Sequence, residues 1–64
     1  MTAQIILDIN REIEYYYWLR EEEARWDKVA IAQHLGRIQG MIAVLEMLTG
    51  EKYKHTKGGV VLAD

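Results

Sequence analysis

The sequence predicts an all-α fold built on an antiparallel hairpin of two helices, and three observations carry that prediction. The 64 residues contain no proline, and the first glycine is Gly36, so a long amino-terminal stretch holds neither of the two strongest helix breakers. Large residues recur at steps of three and four, the spacing of one helix face. Five pairs also mirror one another: Ile6 and Leu45, Ile9 and Ile42, Ile13 and Ile38, Tyr16 and Leu35, and Arg20 and Ile31 all have positions summing to 51. Two helices folded back between Arg25 and Trp26 would meet layer by layer.

The first helix is expected over residues 3–24, with Thr2 as its N-cap. The second is expected over residues 28–49. Asp27 stands where a cap is needed, and Gly50 where a left-handed residue would end the helix. Helices of this length run roughly 33 Å at 1.5 Å per residue. The turn between them lacks a glycine, so one continuous helix is the competing reading. The phase of the pattern favours the hairpin. The first seam (Ile6, Ile13, Arg20) extrapolates to Asp27, His34 and Met41, whereas the second seam is Ile31, Ile38 and Leu45. Unbroken helices packed antiparallel as a dimer would make the same pairs between chains. Residues 1–50 therefore form the helical unit. Residues 51–64 lose the helical period and are expected to form an irregular C-terminal arm, with a hinge at Gly58-Gly59 and strand character in Val60-Val61-Leu62.

Half of the residues are hydrophobic, which excludes a disordered chain. A single domain this small buries a modest fraction of its surface and usually needs a staple or a partner. With no cysteine, neither a disulfide framework nor a thiolate metal site is available, and a reducing, cytoplasmic setting fits. The longest apolar run, residues 40–45, is far short of a membrane span of about 18 residues, and no signal-peptide pattern is read. Residues 1–27 carry seven acids and three bases, and residues 28–64 carry three acids and five bases. The acids gather in Glu21, Glu22 and Glu23, and the bases in Lys52, Lys54 and Lys57. Neither cluster makes the basic stripe of a nucleic-acid binder.

No residue set points to catalysis. There is no serine, no phosphate-binding glycine loop, and no Glu three residues before His34 or His55 as a carboxylate-bundle metal site requires. An enzyme, a cofactor and a bound metal are therefore not expected. His34 has Tyr17 as its mirror partner and is expected to be a satisfied polar layer within the seam.

Two features remain once the seam is assigned. Val29, Ala32, Gly36, Gly40, Ala43 and Met47 form a second strip on helix 2. Interior glycines cost about 1 kcal/mol each against alanine, so close approach of another backbone is the expected compensation, in a homodimeric four-helix bundle. Tyr15, Trp18 and Leu19 fall outside the seam of helix 1, and Trp26 at the tip. Exposed aromatics mark interfaces. These residues, rimmed by Glu21, Glu22 and Glu23, are the expected docking surface for another protein.

The layout of residues 3–49 resembles the Rop-type helical-hairpin dimers of plasmids. That resemblance implies a four-helix bundle and an RNA-binding regulator using Arg11, Arg25, Lys28 and the lysine-rich tail. Leu35-Gly36-Arg37-Ile38-Gln39-Gly40-Met41, followed by Leu48-Thr49-Gly50-Glu51-Lys52-Tyr53, looks like the ends of small helical proteins encoded by phages and prophages. That likeness implies a non-enzymatic protein that binds and inhibits or modulates a bacterial host protein, anti-phage defence enzymes included. A purely structural, self-assembling bundle is the third expectation.

Overall fold

The computed structural model describes residues 2–22 and 28–63. Helix α1 (Thr2–Glu21) and helix α2 (Lys28–Thr49) fold back on each other as a helical hairpin, followed by strands β1 (Tyr53–Thr56) and β2 (Gly59–Leu62). Thr2 lies inside α1 rather than capping it, and α1 ends three residues earlier than its apolar pattern suggested. The bounds of α2 are those expected. Asp27, Arg25, Trp26 and Glu23 lie outside the described residues.

The mirrored seam is the core. Ile9, Ile13, Tyr16, Ile38, Ile42 and Leu45 form one buried cluster, with Ile6, Ile31 and Leu35 packed half-buried against it. Isoleucine and leucine at these steps present one continuous apolar stripe per helix, and burying it is what holds the pair together. Arg20 departs from the pattern. It is exposed, and its guanidinium lies over the rings of Tyr16 and Tyr17, 5.8 and 5.7 Å from their centroids. The seam thus ends in a cation–π lid, which keeps the charge in water.

α2 stops where a left-handed residue was expected. Gly50 has φ +74°, and its amide donates to the Glu46 carbonyl at 2.8 Å. The Thr49 hydroxyl donates back to the Leu45 carbonyl at 2.9 Å and accepts the Glu51 amide at 3.2 Å, tying the residues after the helix to its last turn.

The C-terminal segment is not an irregular arm. β1 and β2 form a two-stranded antiparallel sheet in the register Tyr53↔Leu62, Lys54↔Val61, His55↔Val60 and Thr56↔Gly59. Lys57 and Gly58 make the turn, and the positive φ falls on the next residue, Gly59, at +129°. The Thr56 hydroxyl donates to the Gly59 carbonyl at 2.9 Å and accepts from the Gly58 amide at 3.2 Å, pinning the turn. A lone two-stranded hairpin is marginal in water, and here it is docked. Tyr53 and Val60 pack against the helical core. The Tyr53 amide donates to Glu46 Oε2 at 2.9 Å, and the Val60 amide to Asn10 Oδ1 at 2.9 Å. The β-hairpin thus closes one flank of the helix pair, holding α1 through Asn10 and α2 through Glu46.

Candidate functional site

The polar layer differs from the one the mirror implied. His34 does not face Tyr17. Its Nδ1 lies 2.7 Å from Glu12 Oε1, within hydrogen-bond distance. Arg37 Nη1 stands 3.7 Å from the same oxygen, and the Tyr15 ring meets the imidazole edge-on at 4.9 Å. Tyr17 instead turns to the β-hairpin, its hydroxyl 3.4 Å from His55 Nδ1, at the long limit of hydrogen bonding. The reason is handedness. Positions equidistant from the mirror are level with each other, but away from the seam they lie on opposite flanks. In an antiparallel pair each flank meets the same flank of its neighbour. Glu12 and His34 share the open flank, whereas Tyr17 shares with Asn10 the flank that the β-hairpin closes.

The outer aromatics of α1 gather into one surface. Tyr15 and Trp18 stack with centroids 5.9 Å apart and planes 19° from parallel, the offset arrangement that ring quadrupoles favour. Both are nearly half exposed, at 43 and 46%. They line an open groove of about 580 Å³ together with Arg11, Glu14, Tyr17, Glu21 and Lys57. Lys57, at the β-turn, reaches back to Glu21 within the groove lining, Nζ to Oε1 at 2.7 Å. This hydrogen bond, and then the carboxylate charge, raise the Lys57 pKa above its ordinary 10.5. Sequence reasoning placed Tyr15, Trp18 and Glu21 on this surface but missed Arg11, Glu14 and Lys57 as parts of one groove. Arg11, Glu14, Tyr15, Trp18 and Glu21 recur at helical spacing, a signal the sequence did contain. Lys57 arrives only through the fold of the β-hairpin.

Leu19 is a correction: it is buried, 1% exposed, and offers nothing to a docking surface. Glu22 is half-buried beyond the end of α1. Glu23 and Trp26 fall outside the described residues. On α2, the second strip is exposed. Val29 and Met47 are 61 and 85% exposed, and Ala32, Gly36, Gly40 and Ala43 are exposed between them. A Cβ built on Gly36 or Gly40 meets no atom within 4 Å, so the hairpin itself gives neither glycine a reason to lack a side chain.

Among the described residues, no group of three or more His, Cys, Asp or Glu side chains is placed to hold a metal. Among the same described residues, no helix is long and apolar enough to cross a membrane. No protein-family model, curated protein or solved structure matches this chain.

Proposed function

We propose that this chain is a non-enzymatic interaction protein that self-associates as a homodimer and binds, and so inhibits or modulates, a bacterial protein. The observation that carries the binding role is the stacked Tyr15–Trp18 pair, exposed on the floor of a 580 Å³ groove. Two large rings held flat against each other on a rigid helix lose little entropy on capture, which is how aromatic hot spots act. Glu14, Glu21, Arg11 and Lys57 provide a charged rim for orientation rather than affinity. A phage-encoded inhibitor is the form of this function suggested by the resemblance of residues 35–53. The homodimer has its support in the exposed strip of α2 rather than in the aromatic groove.

The test is capture from bacterial lysate, with and without nuclease, using the wild-type chain and Trp18→Ala. The expected outcome is a protein retained by the wild type and lost by the variant, with thermal unfolding of the two chains unchanged. Capture that disappears on nuclease treatment would transfer the function to RNA. Capture indifferent to Trp18→Ala would remove the groove from the reading.

A further inference from the structure

The exposed strip of α2 has an internal symmetry of its own. Val29 and Met47, Ala32 and Ala43, Gln33 and Val44, and Gly36 and Gly40 have positions summing to 75, 76 or 77. Its ends are Val29 and Met47, one edge is two alanines, the other is Gln33 and Val44, and its middle is two glycines. At about 100° per residue, these eight residues fall within one face of α2. No charged residue lies among them, and Gln33 is the one polar side chain.

We infer that this strip is the contact between two copies of the chain, α2 against α2 and antiparallel, with the two-fold axis passing between Gly36 and Gly40. The inference rests on the proposed homodimer and says how it is built. An antiparallel two-fold places each flank against the same flank of the partner. Val29 then meets the partner's Met47, Ala32 the partner's Ala43, Gln33 the partner's Val44, and Gly36 the partner's Gly40. The open space around both glycines admits the second backbone, closer than the usual 8–10 Å between helix axes. The larger residues at the two ends close the seam where the helices diverge.

Charge at the ends of the strip favours antiparallel over parallel, while near the axis the two Arg37 side chains come level with each other, each beside its own Glu12 at 3.7 Å. Lys28 at the start of α2 and Glu46 near its end lie on the same flank, so an antiparallel partner brings opposite signs to one level. Opposed helix dipoles add to the same preference. The strip also holds three exposed large hydrophobics, Val29, Val44 and Met47, at 61, 49 and 85%, area that a second copy of the same strip would remove from water.

The geometry also sets the shape of the dimer. The strip lies about 160° around α2 from Ile31, Ile38 and Leu45, which face α1, by the helical pitch. A square bundle needs the two faces at roughly 90°. Nearly opposite faces instead place the four helices in a row, α1–α2 of one copy followed by α2–α1 of the other. That row leaves both Tyr15–Trp18 grooves uncovered, at its two outer ends. Contact through one helix face falls at the low end of specific interfaces, below about 1,200 Å², so dissociation is expected in the micromolar range.

Two measurements test this. Sedimentation equilibrium from micromolar to millimolar concentration should show a dimer that Gly36→Ala/Gly40→Ala weakens at least tenfold. The same variant should unfold at higher temperature when dilute, because both added methyl groups have room in the single chain. Cysteine cross-linking fixes the direction, in a chain that has no cysteine of its own. Ala32→Cys mixed with Ala43→Cys should form the mixed disulfide, and Val29→Cys alone should not link to itself. Within one chain positions 32 and 43 are about 16 Å apart along the helix, too far for an internal bridge. A dimer that is indifferent to the glycine substitutions, or that self-links through Val29→Cys, overturns this interface and leaves self-association standing. A monomer at every concentration overturns both.

Discussion

Asn10 and Gly59, 49 positions apart in the chain, fit together so closely that neither tolerates an ordinary replacement. Asn10 Oδ1 accepts the Val60 amide at 2.9 Å. A Cβ on Gly59 would lie 2.8 Å from that same oxygen. The glycine also carries φ +129°, a region that residues with a Cβ rarely adopt. One contact thus joins the turn chemistry of the β-hairpin to the side of α1.

Gly59→Ala should therefore destabilise the chain through two separable effects, a backbone conformation worth about 1–3 kcal/mol and a clash with Asn10. Asn10→Ala alone should cost roughly 1–3 kcal/mol by leaving the Val60 amide without its acceptor. In the Asn10→Ala background the clash is gone and only the backbone strain remains. A double-mutant cycle by urea unfolding should give a Gly59→Ala cost smaller there than in the wild type. Equal costs in both backgrounds would show that Asn10 is not the steric partner.

Ile38 is 0% exposed at the centre of the helical core. Ile38→Ala removes buried methyl groups and leaves a cavity, at about 2–5 kcal/mol. A chain of this length has a total stability of only roughly 3–10 kcal/mol. The expected result is a variant largely unfolded at 37 °C by circular dichroism, whereas Ile38→Val, at about 0.5–1.5 kcal/mol, stays folded. A native-like melt for Ile38→Ala would mean that the seam is not the main source of stability.

The Lys57–Glu21 contact gives a pH dependence of definite sign. The folded chain raises the Lys57 pKa above 10.5, chiefly through the hydrogen bond to Glu21. Folding thus favours the protonated lysine. The stabilising effect is complete below about 10.5, the unfolded value, and is lost as pH rises through the folded value. Wild type and Lys57→Met should differ by a small, constant amount in urea midpoint from neutral pH to that limit, then converge above it. The difference should be small because an exposed ion pair contributes little. A gap that widens in alkali would contradict the sign.

Particular residues show where the sequence was legible. The helix spans, the seam from Ile6 to Leu45 and the left-handed Gly50 follow from local rules. Periodicity fixes which face of a helix is apolar, and a helix can end only where its last carbonyls find other partners. The exposed positions of Tyr15 and Trp18 followed by subtraction from that seam. Leu19 did not: it is buried although its position lies off the seam. Residue counting set Tyr17 level with His34 but could not say on which flank each stood. The C-terminal segment was the largest departure. Val60-Val61-Leu62 and Gly58-Gly59 announced strand and turn, but a four-residue strand has no stability that its own residues reveal.

The sequence by itself thus determined the two helices and the apolar faces they bury. Those depend on interactions three or four residues apart. Only the tertiary structure decided that His34 pairs with Glu12, that Asn10 and Glu46 hold the β-hairpin, and that Lys57 joins Glu21 in the lining of the Tyr15–Trp18 groove. Each of these joins groups whose separation in space is set by two helices packing together and by a chain reversal at Lys57-Gly58. A hydrogen bond between such groups depends on ångström-scale placement, which no periodicity in the chain encodes.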